Sequence, residues 1–193
     1  SCFNSKGYFF KESDSSNICY TKTSIEIGYY LDGSSNLFKK CNLRCLTCNN
    51  GGTNDASNCE NCNNNNNYHF SPNVPNHCVL FDELPNVNYY LDHTDKYRIC
   101  HQSCLECIGP NNNDCTNCYN SNGYYFKEND NSNICYTTNT IGIGYYLDVA
   151  NKKFKRCNNR CLSCNSGGTD TSSNCLKCNN SKEYHFEPTK TGH

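Results

Sequence analysis

The chain has 193 residues and a formal net charge of −1, and its hydrophobic share of 35% includes 19 cysteines and 15 tyrosines. That composition excludes a large apolar core, because leucine, isoleucine, valine and phenylalanine are too few to build one, and the lack of a basic block argues against nucleic acid or anionic membrane as partners. So polar a chain cannot hold itself together by burial, and cysteine at about a tenth of all residues marks a disulfide scaffold in an oxidising, extracellular or cell-surface compartment.

In chain order, the first element is a cysteine-closed loop from Cys2 to Cys19. It contains the aromatic run Gly7-Tyr8-Phe9-Phe10-Lys11, then a polar cluster and Asn-Ile-Cys. Aromatic residues favour strands, and the pattern predicts a hairpin closed by its own disulfide. A cysteine-free connector follows, Gly28-Tyr29-Tyr30-Leu31-Asp32 leading to Phe38-Lys39-Lys40, which predicts a second hairpin. Next comes a cysteine cluster, Cys41, Cys45 and Cys48, then the pair Cys59 and Cys62, then Cys78. The pair Gly51-Gly52 and the run Asn63 to Asn67 read as turns or loops.

The frame then repeats. Cys100, Cys104, Cys107, Cys115, Cys118 and Cys135 have the same order, and Cys157, Cys161, Cys164, Cys175 and Cys178 begin it again. The loop Cys118 to Cys135 carries Gly123-Tyr124-Tyr125-Phe126-Lys127, nearly a copy of the first loop at an offset of 116 residues. Roughly two residues in three are identical over the first fifty positions of that alignment. Connectors recur as Asn88-Tyr89-Tyr90-Leu91-Asp92 to Tyr97-Arg98-Ile99, and as Gly144-Tyr145-Tyr146-Leu147-Asp148 to Phe154-Lys155-Arg156.

Cutting at the first cysteine of each frame gives four pieces: 1–40 as the second half of a module, 41–99 and 100–156 as complete modules, and 157–193 as the first half of another. The modules at 41 and 157 resemble each other more than the one at 100, so the array alternates. No segment of useful length has helical periodicity. No run of 18 apolar residues and no signal peptide is visible, and the chain starts at Ser1, so it reads as a piece of a longer or processed protein.

Six cysteines per module allow fifteen pairings, and sequence does not choose among them. Neighbours two residues apart rarely bridge each other, because the geometry of the bond is strict. Zinc is the rival use of Cys-x2-Cys. Six ligands do not divide into four-coordinate sites, and the loop-closing sixth cysteine has no place in one. His69 and His185 recur in Tyr-His-Phe, but His101 has no counterpart at Asn42 or Asn158. We expect no metal and no cofactor.

The stretch Cys100-His-Gln-Ser-Cys-Leu-Glu-Cys-Ile-Gly-Pro, followed by Asn-Asp-Cys-Thr-Asn-Cys118, resembles the furin-like cysteine-rich repeat of growth-factor receptors, proprotein convertases and R-spondins. The tandem form, with C-x3-C-x2-C clusters and cysteine-free connectors of 21 residues, also looks like the surface immobilisation antigens of ciliated protists, which are secreted, lipid-anchored coat proteins. The resemblance implies small disulfide-rich β-hairpin modules in tandem, stacked into an elongated rod-like array with little helix. It also implies a pairing order of first to third, second to fourth and fifth to sixth. Carried onto this chain, that gives Cys2–Cys19, Cys41–Cys48, Cys45–Cys59, Cys62–Cys78, Cys100–Cys107, Cys104–Cys115, Cys118–Cys135, Cys157–Cys164 and Cys161–Cys175. Cys178 stays unpaired, with its partner expected beyond His193.

Other residues invite functional readings. Asp32, Asp92 and Asp148 follow Tyr-Tyr-Leu and read as turn caps at hairpin apices rather than catalytic carboxylates. The tyrosines read as covers for the disulfides, with some rings facing neighbouring units or chains. Lys39, Lys40, Arg44, Lys155, Arg156 and Arg160 read as a solvated face. Asn179-Asn180-Ser181 is the glycosylation candidate, at Asn179. The expected function is a structural extracellular repeat protein, a cell-surface coat, stalk or fibre subunit. Its expected partners are copies of itself or neighbouring repeats, as a homopolymer, with carbohydrate as a further class. The alternative is a ligand- or receptor-type binding module. No Ser-His-Asp set or phosphate loop appears, so no enzyme is expected.

Overall fold

The structure is a computed structural model that describes residues 1–85 and 88–186. Among these residues it holds short strands and 3-10 turns with no α-helix, and no helix long and apolar enough to cross a membrane.

The chain divides into two compact units. The first is Ser1–Asn86 with Leu91–Arg98, and the second is Val87–Tyr90 with Ile99–His193. Each carries the same two building blocks.

One block is the cysteine hairpin. In the first unit, β5 (Cys45–Cys48) pairs antiparallel with β6 (Cys59–Cys62). In the second unit, β11 (Cys104–Cys107) pairs with β12 (Cys115–Cys118), and β17 (Cys161–Cys164) pairs with β18 (Cys175–Cys178). Residues three apart in a regular strand point to opposite faces, so Cys-x2-Cys should split its sulfurs. Each ladder instead shifts register twice between its cysteines, at Cys45/Thr47 and Thr47/Cys48 in the first copy. The bulges turn both cysteines of a strand inward: Cys45, Cys48, Cys59 and Cys62 are all buried, while Leu46 and Glu60 face outward.

The other block joins two predicted hairpins into one sheet. β1 (Phe9–Lys11) pairs antiparallel with β2 (Cys19–Tyr20), and β3 (Tyr29–Asp32) with β4 (Leu37–Lys40). β1 and β4 then pair in parallel, giving the strand order β2-β1-β4-β3. The second unit repeats this with β13 (Tyr125–Lys127), β14 (Cys135–Tyr136), β15 (Tyr145–Asp148) and β16 (Lys153–Arg156), in the order β14-β13-β16-β15. The intervening copy is reduced: β7 (His69–Phe70) pairs with β8 (Cys78–Val79), and a single parallel bridge links Phe70 to Lys96. β9 (Tyr89–Leu91) and β10 (Tyr97–Ile99) form the connector hairpin, and the division between the units passes through it.

An edge-to-face ring pair marks each parallel junction. Phe9 meets Phe38 with ring centroids 6.0 Å apart, Tyr125 meets Phe154 at 5.9 Å, and His69 meets Tyr97 at 5.5 Å. Phe38 and Phe154 are 1% exposed, the largest fully enclosed side chains among the described residues. Both connector strands were legible in the aromatic runs; their parallel union with the preceding hairpin was not.

Four 3-10 turns sit at matching positions after a cysteine: Asn4–Lys6, Asn64–Asn66, Asn120–Asn122 and Asn180–Lys182. Each ends on a left-handed residue, Gly7, Asn67, Gly123 or Glu183. Left-handed asparagines also recur two residues before a cysteine, at Asn17, Asn76 and Asn133, and one before, at Asn58 and Asn174. Asparagine tolerates that conformation better than other side-chain-bearing residues, so part of the asparagine excess is backbone chemistry.

Candidate functional site

The chemistry-bearing residues gather around sulfur. Among the described residues the structure forms nine disulfides: Cys2–Cys19, Cys41–Cys48, Cys45–Cys59, Cys62–Cys78, Cys100–Cys107, Cys104–Cys115, Cys118–Cys135, Cys157–Cys164 and Cys161–Cys175. Their Cα separations run from 5.1 Å in Cys45–Cys59 to 5.8 Å in Cys41–Cys48, within the range the bond requires. Cys178 is a free, buried thiol. In the ladder Cys45 lies opposite Cys62 and Cys48 opposite Cys59, yet neither cross-strand pair is bonded. The bridges run diagonally and outward instead, tying the hairpin to Cys41 before it and to Cys78 after it.

Tyrosine rings close each sulfur cluster. Tyr30 and Tyr68 pack on the cluster of Cys41 to Cys78, Tyr90 and Tyr124 on that of Cys100 to Cys135, and Tyr146 on that of Cys157 to Cys175. The glycine pairs make room for them. A Cβ on Gly51 would stand 2.7 Å from the Tyr30 hydroxyl, and one on Gly167 would stand 2.8 Å from that of Tyr146. The second glycine of each pair lies against backbone: a Cβ on Gly52 or Gly168 would fall 2.2 Å from the carbonyl oxygen of Ser57 or Ser173. These glycines lie in loops, as expected, but in loops packed closely against tyrosine and backbone.

Ser57, Ser103 and Ser173 are buried beside the sulfurs. The Ser57 hydroxyl accepts the Cys78 N–H at 3.0 Å, and the Ser57 N–H donates to His77 Nδ1 at 3.2 Å. His77 is itself buried, and burial pushes its pKa down, with the nearby Arg44 charge adding to the effect. The pair looks like part of a catalytic set, but its atoms point into the module and hold the Cys78 strand against the loop before Cys59. Ser103 is held in a similar way by His101, whose Nδ1 lies 2.8 Å from the Ser103 hydroxyl.

The apex aspartates do cap turns. Asp32 accepts from the Ser34 N–H and from the Ser34 and Ser35 hydroxyls. Asp92 accepts from the Thr94 and Lys96 N–H groups, and Asp148 from the Asn151 N–H and side-chain amide. Each also takes a cation from the facing strand: Asp32 with Lys39 at 2.6 Å, Asp92 with Arg98 at 2.7 Å, and Asp148 with Lys155 at 2.9 Å. The Asn151 amide, then Lys155, hold the Asp148 pKa down to about 2. Lys39 and the serines lower that of Asp32; at Asp92, burial is outweighed by Thr94 and Arg98.

The expected solvated basic face is therefore corrected for four of its six residues, while Lys40 and Arg156 are exposed as expected. Lys39 and Lys155 are hairpin partners. Arg44 forms a two-pronged ion pair with Glu83, donates to the Cys78 carbonyl at 3.2 Å, and lies over the Tyr68 ring. Arg160 donates to the Asp170 carbonyl at 2.7 Å and faces Tyr184. Sequence missed two further cages. Lys11 sits between the Tyr20 and Tyr29 rings, 5.3 Å from each centroid, and Lys127 between those of Tyr136 and Tyr145. Their trace in the sequence was a lysine and two tyrosines that all recur at 116 residues, as Lys11, Tyr20 and Tyr29 and as Lys127, Tyr136 and Tyr145.

The second unit also presents an open groove lined by Ile143, Leu162, Arg156, Asn158, Asn179 and Lys182. Ile143 is 78% exposed in it, and its counterpart Ile27 in the first unit is 73% exposed. The glycosylation candidate Asn179 lies at this groove, with its side-chain oxygen accepting the Ser181 hydroxyl at 2.6 Å.

No protein-family model matches the chain. It is 35% identical over 80 residues to proprotein convertase subtilisin/kexin type 5 of Mus musculus, covering 39% of this chain and 4% of that protein. It is 33% identical over 86 residues to the variant-specific surface protein VSP4A1 of Giardia intestinalis, covering 43% and 12%. It is 30% identical over 96 residues to cysteine repeat modular protein 2 of Tetrahymena thermophila, covering 48% and 5%. The chain thus spans at most 12% of the length of these relatives. What it shares with them is cysteine-rich repeat sequence, and the chain is a disulfide-bonded tandem-repeat chain similar to such proteins over part of its length.

Proposed function

We propose that the chain is a structural extracellular repeat segment, a cell-surface coat, stalk or fibre subunit whose modules continue into an elongated array. One observation carries this reading. At an offset of 116 residues the chain repeats a whole bonding scheme, not just its cysteines: the β2-β1-β4-β3 sheet, the caged lysine, the Asp–Lys apex and the glycine under the tyrosine all recur. Building the same rigid piece repeatedly suits a protein whose product is length. The similarity to a variant-specific surface protein and the disulfide density support a location outside the cell. The reading assigns the chain no catalytic step, and its partners are copies of itself, with carbohydrate as a further class.

Negative-stain imaging of native material tests it. Long particles with an axial repeat near the length of two modules are expected. Compact single particles would overturn the reading.

The groove at Ile143, Leu162, Arg156 and Lys182 favours a second reading, a ligand- or receptor-type binding module. A stoichiometric heterologous partner, recovered on the native chain and lost on Ile143→Asp, would replace the first reading with this one.

A further inference from the structure

The chain contains two Asn-Gly dipeptides, Asn50-Gly51 and Asn122-Gly123. In this dipeptide the following backbone nitrogen reaches the asparagine carboxamide most readily, because glycine has no Cβ to obstruct it. The two stand in opposite surroundings. Asn122 closes a 3-10 turn: its N–H donates to the Tyr119 carbonyl and the Gly123 N–H to the Asn120 carbonyl, each at 3.0 Å. Gly123 is fixed in the left-handed region at φ +81°. Asn50 is exposed in the bend after β5. Among the described residues neither its carboxamide nor the Gly51 N–H has a hydrogen bond. Gly51 is nonetheless held on its far side, where its carbonyl accepts the Asn58 side-chain amide at 3.1 Å. The attacking nitrogen is therefore free in a loop that is otherwise anchored.

We propose that Asn50 is a site of spontaneous deamidation built into the 41–99 module. The Gly51 nitrogen attacks Asn50 Cγ and forms the new N–Cγ bond. The Cγ–Nδ2 bond breaks, and Nδ2 leaves as ammonia with the proton from Gly51. Water then opens the succinimide at one carbonyl or the other, leaving aspartate or isoaspartate at position 50. Either product adds a negative charge, and isoaspartate adds a methylene to the backbone beside the Tyr30 ring that covers the Cys41–Cys48 cluster. The equivalent loop in the last module carries Ser166-Gly167, with Gly167 under Tyr146 in the same way. The reaction would thus mark one of two otherwise similar modules with age.

The test incubates the oxidised, native chain in neutral buffer at body temperature and follows both peptides by mass spectrometry, beside a reduced and alkylated chain. In the native chain the Asn50 peptide is expected to convert on the order of tenfold faster than the Asn122 peptide, whose reaction must first open the turn's hydrogen bonds. In the unfolded chain the two rates should converge. Asn50→Ser, the residue found at 166, should abolish the product and leave the fold intact. Equal native rates, a faster Asn122, or an Asn50 that stays amidated while the unfolded chain reacts would each overturn the proposal.

Discussion

At the scale of single residues, the modules depend on side chains that are missing as much as on those present. Gly52 and Gly168 lie where any Cβ would meet a serine carbonyl at 2.2 Å, and backbone cannot swing aside as a tyrosine tip can. Gly52→Ala should therefore lower stability by about 1–3 kcal/mol or more, as overpacking does. Gly33→Ala is the control: nothing lies within 4 Å of its Cβ, so a change near zero or slightly stabilising is expected. Thermal unfolding of the oxidised variants checks both, and equal losses would show that the Gly52 contact does not matter.

Asp148 gives a pH dependence of known sign. Its pKa in the folded chain is held at about 2, below the ordinary value of 3.8, so the carboxylate favours the folded hairpin. That contribution is complete above about pH 4 and is lost as pH falls toward the folded value. A carboxyl chemical-shift titration should place the midpoint near 2, and Asp148→Asn should remove the acid-dependent loosening of β15–β16 seen by amide exchange. A midpoint near 4 would mean that the bonds from Asn151 and Lys155 do not persist in solution.

At the scale of elements, the decisive feature is the parallel pairing of β1 with β4 and of β13 with β16. A two-stranded hairpin alone is marginal in water, and joining two of them creates a sheet with a face to cover. Phe38 and Phe154 fill that junction. Phe154→Ala should cost about 3–5 kcal/mol. The loss should appear as faster amide exchange in β13 and β16 with the disulfides intact. Unchanged protection would show that the cross-links alone hold the sheet. The reduced copy has His69 and Tyr97 in place of the Phe9–Phe38 and Tyr125–Phe154 pairs, with His69 Nδ1 2.6 Å from Asp95. There a polar contact takes over part of what apolar packing does elsewhere.

At the scale of the whole molecule, cross-links stand in for a core. The bridges span sequence separations from 7 to 17 residues. By the chain-entropy estimate each contributes roughly 2.5–3 kcal/mol, so two or three per module rival the stability of an ordinary small domain. This explains how so polar a chain folds when, among the described residues, the buried apolar side chains besides cysteine are Phe38, Val79, Tyr89, Tyr97 and Phe154. It also bears on the coat or fibre reading. Each module carries its own staples, so modules can be added without enlarging a shared core, and the expected axial repeat in native particles belongs to this scale.

The sequence alone determined the cysteine phase, the 116-residue period, the hairpin segments and the capping role of Asp32, Asp92 and Asp148. These are local properties: spacing, strand propensity and turn chemistry act within a few residues. The tertiary structure decided what depends on residues distant in sequence: the parallel joining of the hairpins, the bulges that turn both cysteines of β5 and of β6 inward, the burial of Ser57 against His77, and the pairing of Arg44 with Glu83. Arg44 and Lys39 show the limit most clearly. A basic residue looks solvated in any one-dimensional reading, because nothing nearby in sequence announces a carboxylate 39 positions away or across a hairpin. Only the folded chain brings the partner within reach, and the free energy of the pair exists only there.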